Sequence, residues 1–385
     1  AKNRDFYLID QRGTGHSNPL NCDEVPGLEE VVFDAYDSAV VRDLVTKCVA
    51  QLEGDPRFYS TDATVHDFEN VRAALGIKEW NLLGVSYGTR VATHYMRVAP
   101  SSIRSVVLDS VVPPSKVLGL EIAVRSQDIL NSLYQRCEDD PLCNERMPDI
   151  RSSVEALLTK LKQSPLPTQI ENFSTGEIET ISFSETHLIT LVRMYLYTPQ
   201  TLSILPPMLY EAAVNENYSP VVRAAQQVSR NLSTSMSVGL SHSIMCTEEF
   251  PSFGQLGEQL KADNQASYMG MDLIEQMGDV CDVWPKGETI AAMKEPLTSD
   301  IPTLLMSGEY DPITPPAYGE ETRQHLTNSH HFVLKGQGHF VSGVGCMPDL
   351  IAKFVEEKSS QYLNSRCLDR LGTAPLFLNF NGARP

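Results

Sequence analysis

A strand-like run, Trp80-Asn81-Leu82-Leu83-Gly84-Val85, passes directly into Ser86 and then into residues 87–98, which suit a helix ending before Pro100. A strand that turns at once into a helix leaves its connecting residue in a sharp, strained corner. The pentapeptide Gly84-Val85-Ser86-Tyr87-Gly88 is a Gly-x-Ser-x-Gly sequence of the kind that lifts a serine hydroxyl above a sheet at such a corner. The glycines are expected to keep side chains out of the crowded turn. By composition alone the pentapeptide is an ordinary Gly/Ser turn; strand before and helix after favour a nucleophile elbow.

The surrounding pattern predicts a parallel sheet covered by helices. Phe6-Tyr7-Leu8-Ile9 reads as a first strand, stopped by Asp10 and the turn-rich Gly13-Thr14-Gly15. Val65, Phe68, Val71 and Leu75 follow at helical spacing, with Gly76 where a helix C-cap would sit. Ile103 to Leu108 supplies another buried strand, so the first ~110 residues read β-α-β-α-β. From Pro113-Pro114 to Pro296 the period is mainly helical, with amphipathic stretches near 118–136, 150–163, 185–197 and 220–230 and little strand signal. Alternation resumes after Pro302, with Thr303-Leu304-Leu305-Met306, a helix near 317–327, His331-Phe332-Val333-Leu334, and a helix from about 348. The expected organisation is an α/β core over 1–113, a helical insertion over 114–295, and completion of the core by 296–385.

A serine alcohol needs a base, and the base needs an orienting acid. Asp311 lies just past the strand 303–306, where strand ends deliver side chains to the crevice of an open α/β sheet. His339 follows the next strand in Gly336-Gln337-Gly338-His339, flanked by small residues. The chain order Ser86, Asp311, His339 is that of an α/β-hydrolase. Glu309 competes with Asp311 as the acid, although Asp311-Pro312 ends the run at the loop. Of the nine histidines, His16 reads as a turn residue, and His330 and His331 as part of a strand edge.

Composition narrows the remaining classes. With 49 acidic and 31 basic residues the formal charge is −18, which disfavours nucleic acid and anionic membranes, since binding phosphates takes a clustered basic surface. No stretch approaches the roughly 18 consecutive apolar residues of a spanning helix, and the opening Ala1-Lys2-Asn3-Arg4-Asp5 lacks the apolar middle of a signal peptide. Eight cysteines, with no C-x-x-C and no histidine at zinc-finger spacing, demote metal binding; no metal and no cofactor are expected. Several of them lie in polar, turn-like surroundings, which favours an oxidising compartment.

Four motifs also carry a resemblance. Asp10-Gln11-Arg12-Gly13-Thr14-Gly15-His16-Ser17, Gly84 to Arg90, Ser307-Gly308-Glu309-Tyr310-Asp311-Pro312-Ile313-Thr314-Pro315 and Gly336 to His339 resemble the proline iminopeptidase and tripeptidyl aminopeptidase family of α/β-hydrolases, from residue 5 to about 367. The resemblance implies a secreted or periplasmic serine exopeptidase acting at the free N-terminus of peptides, with the 114–295 insertion as a helical lid. It implies Tyr87 N–H as an oxyanion donor. Within Cys246-Thr247-Glu248-Glu249-Phe250, it implies Glu248 as the ligand of the substrate α-ammonium, with Glu249 in reserve. Together with spacing it implies the disulfides Cys22–Cys48, Cys137–Cys143, Cys246–Cys281 and Cys346–Cys367. The last pair requires a helix break near Glu357, because a straight helix over 347–366 would part its ends by about 30 Å. Family members carry a His-Gly-Gly-Pro-like loop before the Asp-Gln-Arg-Gly motif, and only nine residues precede Asp10 here. The expectation is therefore that N-terminal strands are missing or cleaved from this chain, that one sheet edge is uncovered, and that activity depends on the upstream segment.

Three functions compete: a serine aminopeptidase, a carboxylesterase or lipase using the same triad, and a non-catalytic binding protein of the same fold. An essential carboxylate in the insertion and a requirement for a free N-terminus favour the peptidase, and labelling of Ser86 by a fluorophosphonate separates both enzymes from the binder.

Overall fold

The computed structural model describes residues 3–22, 25, 37–171, 176–361 and 363–382. Its strands are β1 (Trp80–Val85), β2 (Ile103–Asp109), β3 (Leu166–Glu171), β4 (Ile178–Phe183), β5 (Thr303–Gly308) and β6 (Ser329–Leu334). β1, β2, β5 and β6 form one parallel sheet in that order. β2 and β5 occupy its middle, which explains their nearly unbroken apolar runs: both faces are covered. Val106, Leu108 and Leu305 point into a layer shared with Val65, Val91 and Tyr95, from the helices Thr61–Ala74 and Tyr87–Val98. Val107, Leu304 and Met306 point the other way, against Leu350 and Phe354 of the helix Met347–Glu357.

Phe6 to Ile9 is not a strand. The segment runs as a loop with Phe6, Tyr7 and Leu8 exposed, and among the described residues β1 pairs with β2 alone, leaving its outer edge open. An apolar run becomes a strand only where a ladder partner waits, and β1 does not take this one up.

Between β2 and β5 the chain forms helices, including Ile122–Asp139, Ile150–Gln163, Glu185–Tyr195, Pro199–Val214 and Ser219–Ser235. They enclose their own core, with Leu130, Leu157, Leu191, Leu209 and Val222 fully shielded. The antiparallel hairpin β3–β4 is a departure from the helical expectation. Its inward residues Thr168, Ile170 and Phe183 alternate, but Pro167 and the short strands blur the period. The helix Pro199–Val214 carries Pro206 and Pro207 within it, which masked it in the sequence. The terminal segment is strapped to this region: Leu376 is buried in its core, Phe377 N–H donates to Ser203 O at 2.9 Å, and Arg136 donates to Ala374 O at 2.7 Å.

All four disulfides join the expected partners. Cys22–Cys48 and Cys246–Cys281 share a small core with Val41, Leu44, Val45 and Trp284. The helix from Met347 ends at Glu357, where Lys358 takes a left-handed conformation (φ 54°) and turns the chain back, bringing Cys346 and Cys367 to a Cα separation of 6.3 Å.

The end of β2 organises the upper rim of the sheet. Asp109, fully buried, accepts hydrogen bonds from Val341 N–H (3.0 Å to Oδ2) and Ser342 N–H (2.7 Å) of the loop after β6, while its own carbonyl accepts Ser86 N–H at 2.9 Å. Replacing Asp109 by Ala would leave two inward-facing N–H groups without acceptors. We expect the variant to lose about 3 kcal/mol of unfolding free energy in denaturant melts, and Asp109→Asn, which keeps one acceptor, to lose less. A loss below about 0.5 kcal/mol, the level of an ordinary surface change, would contradict this role.

Candidate active site

Ser86 joins β1 to the helix Tyr87–Val98 with φ 53° and ψ −121°, a conformation that side-chain-bearing residues seldom adopt. It is held there from several sides. Besides the bond to Asp109, its carbonyl accepts Thr89 N–H (2.9 Å) and Thr89 Oγ1 (2.6 Å), and Thr89 Oγ1 in turn accepts Val112 N–H at 2.9 Å. Gly84 is required by packing, since a Cβ there would lie 2.3 Å from Gly88 O. Gly88 faces open space, so only the first glycine of the motif is needed to clear the corner.

The structure brings the three separated residues into one hydrogen-bonded series. His339 Nε2 lies 3.0 Å from Ser86 Oγ, and His339 Nδ1 lies 2.8 Å from Asp311 Oδ2. Asp311 accepts Ile313 N–H (2.9 Å), Thr314 N–H (2.8 Å) and Thr314 Oγ1 (2.7 Å), so its carboxylate is oriented before the imidazole is considered. An acceptor at Nδ1 places the ring hydrogen there and leaves Nε2 free to accept from Ser86. Asp311 and His339 are buried and Ser86 is partly open, the exposure gradient expected of a supported base and an accessible hydroxyl. Glu309, the rival acid, instead accepts Gly336 N–H at 2.8 Å and has no bond to His339. The inserted helices reach the same loop: Tyr197 O accepts His339 N–H at 2.7 Å, and its ring meets the imidazole edge-on at 5.3 Å. Gly338 must lack a side chain, because a Cβ would lie 2.2 Å from Tyr197 O.

Tyr87 opens its helix, so its N–H has no intrahelical acceptor. Its phenol, whose pKa burial raises, meets Thr61 Oγ1 at 2.7 Å. Thr61 in turn binds Glu248 twice, from N–H (2.6 Å) and Oγ1 (2.7 Å). Burial raises the Glu248 pKa, with the two bonds from Thr61 opposing. Glu248 and Glu249 sit on a π-helical turn, Met245–Glu249, a widened turn of a kind frequent at functional sites. Glu249, the reserve candidate for the amine ligand, already has partners within the chain. It is completely buried, paired with Arg90 and with Lys294 (2.6 Å), and accepts Leu118 N–H at 2.9 Å, whereas Glu248, also buried with 4% of its surface exposed, makes no ion pair among the described residues. Its neighbour Lys294 has its pKa lowered, chiefly by burial.

Sequence reasoning missed Asp109, Thr314, Tyr197 and the anchoring role of Arg90. Asp109-Ser110, a polar pair closing a buried strand, was the one available signal. Among the described residues, no group of three or more His, Cys, Asp or Glu side chains stands together as a metal site, and no helix is long and apolar enough to cross a membrane.

Residues 1–166 match the family described as alpha/beta hydrolase fold, and residues 266–367 the family described as TAP-like protein. The tripeptidyl aminopeptidase of Streptomyces lividans is 31% identical over 199 residues, covering 48% of this chain and 36% of that protein. Serine protease Hip1 of Mycobacterium bovis is 24% identical over 394 residues, covering 94% of this chain and 74% of that protein. The proline iminopeptidase of Aeromonas sobria is 27% identical over 158 residues, covering 40% of this chain and 31% of that protein. The chain thus spans about a third of the length of the tripeptidyl aminopeptidase it matches. With the parallel sheet, the strand-to-helix elbow and the helical insertion, these matches show the α/β-hydrolase fold and a likeness to its peptidases.

Proposed function

We propose that this chain is a serine aminopeptidase that cleaves peptides near their free N-terminus, of tripeptidyl or prolyl type, through an acyl-enzyme on Ser86. The observation that carries the reading is the hydrogen-bonded series Ser86–His339–Asp311 at a strained strand-to-helix corner. In this mechanism His339 Nε2 takes the proton of Ser86 Oγ as it attacks the scissile carbonyl, and Asp311 stabilises the imidazolium. Tyr87 N–H donates to the developing oxyanion. His339 then protonates the departing amine, and a water activated by the same imidazole releases the acyl group.

Glu248 is the proposed partner of the substrate ammonium. A desolvated cation needs a fixed anion, and Thr61 fixes this one while leaving lone pairs on both oxygens. The helical insertion, 114–295, serves as the lid that brings Glu248 over the elbow, and the contact of Tyr197 with His339 supports that arrangement. Four disulfides fit secretion into an oxidising extracellular or periplasmic space.

Ser86→Ala should abolish turnover, by a factor on the order of 10⁶ in kcat as in other triads, with an unchanged melting curve; a variant keeping a tenth of the activity would remove Ser86 from the mechanism. Glu248→Gln should lower kcat/KM for free-amine peptides by about 2 kcal/mol while sparing a simple ester, and equal losses on both would indicate a structural carboxylate. The pH profile supplies a further check. Protonated Glu248 loses its charge, and its raised pKa means that protonation begins above the ordinary carboxylate range. Peptide kcat/KM should therefore show, beyond the acid limb that the shared base imposes on both substrates, an additional loss at low pH that ester kcat/KM and the Gln variant lack. Superimposable peptide and ester profiles would refute the assignment.

A further inference from the structure

Three residues at the rim of the site have positive φ without being glycine: Ser86 (53°), Ser110 (57°) and Phe340 (69°). The first is explained by the elbow. Phe340 is not, since a bulky aromatic in the left-handed region is a true outlier. Neighbouring bonds enforce it. Phe340 N–H donates to Ser110 Oγ at 3.0 Å, Ser110 Oγ donates to Asp109 Oδ1 at 3.2 Å, and the next two N–H groups go to the Asp109 carboxylate. The result is an apolar ring left 52% exposed, its centroid 4.2 Å from that of the His339 imidazole. Strain retained against a side chain's preference, next to reacting atoms, points toward function.

We propose that Phe340 is a specificity-determining residue whose ring receives an apolar side chain on the leaving-group side of the scissile bond. This rests on the serine peptidase reading above. The side follows from the chemistry: His339 hands its proton to the departing amine, so the first residue of the departing peptide passes beside the imidazole and within reach of the adjacent ring. An aromatic or large aliphatic side chain there covers the exposed face of Phe340, whereas Gly or Ser leaves it in water.

The test uses peptides of one N-terminal sequence carrying Phe, Leu, Ser or Gly immediately after the scissile bond, assayed with the purified protein and with Phe340→Gly and Phe340→Asn. Both substitutions suit a positive φ, so they remove the ring without adding backbone strain, and melting temperatures should hold or rise. The unsubstituted protein should favour Phe and Leu over Gly by ~10-fold or more in kcat/KM, the scale of one well-covered apolar group. Both variants should bring that ratio to within about twofold of unity while Gly-peptide turnover is kept. An unchanged ratio in the variants, no preference in the unsubstituted protein, or a uniform loss on all four peptides with a lowered melting temperature would each overturn the proposal. Failure of the peptidase reading looks different: no peptide is cleaved by any form and a fluorophosphonate leaves Ser86 unmodified, and the Phe340 assignment falls with it.

Discussion

One buried carboxylate at the end of a central strand sets the geometry on which the rest of the site depends. Asp109 holds the strand-to-helix corner through its carbonyl, which accepts Ser86 N–H, and holds the loop behind His339 through its side chain, which accepts Val341 and Ser342 N–H. Ser86 and His339 come from segments separated by 253 positions, yet both are referred to this residue. A triad needs its atoms fixed within fractions of an ångström, and a rigid, doubly covered strand is the most reproducible support an α/β fold offers. The two strained residues beside Asp109, Ser110 and Phe340, follow from the same arrangement: the loop bends sharply because its N–H groups converge on one acceptor.

The inserted helices join this frame by two routes of different chemistry. Tyr197 approaches His339 through a main-chain bond that only Gly338 permits. Glu249 meets Arg90, which lies one helical turn beyond Ser86 on the helix Tyr87–Val98, and both are shielded from water. An ion pair taken out of water is costly unless its remaining polar atoms are satisfied. Here Arg90 Nη2 also donates to Pro113 O at 3.0 Å and to Lys116 O at 2.5 Å, and Glu249 accepts from Leu118, while Arg90 Nε is buried without a partner among the described residues, so the compensation is partial. The network thereby stitches residues 113–118, where the insertion begins, to the π turn Met245–Glu249. The terminal segment adds a third tie, since Leu376 lies in the insertion's core and Gly372 O packs where a Cβ on Gly336 would sit.

Much of this was legible in the chain itself, for reasons that differ by element. β2 and β5 carry continuous apolar runs at their centres, Val106 to Leu108 and Leu304 to Met306, because both faces are covered, and these runs sufficed to place them. The proposed acid and base stood out because open α/β sheets deliver functional groups at strand ends, and Asp311 and His339 lie just past β5 and β6 as the alternation predicted. Phe6 to Leu8 misled because apolar composition does not supply a ladder partner, and β3–β4 escaped because Pro167 and a short period hid a half-buried hairpin. Asp109, Tyr197 and the Arg90–Glu249 pair act through tertiary contacts between residues far apart in sequence, and no local pattern encodes such meetings.

The central claim is that Ser86 carries the acyl group. Its most direct test is to mix purified protein with an unblocked peptide anilide or a slowly deacylating ester, quench in acid within the first turnovers, and map the mass of every tryptic peptide. The account predicts an adduct equal to the acyl portion, confined to the peptide containing Ser86 and absent when the protein is first treated with a fluorophosphonate. Substrate cleavage with no adduct on Ser86, or with the acyl mass on another residue, would contradict it.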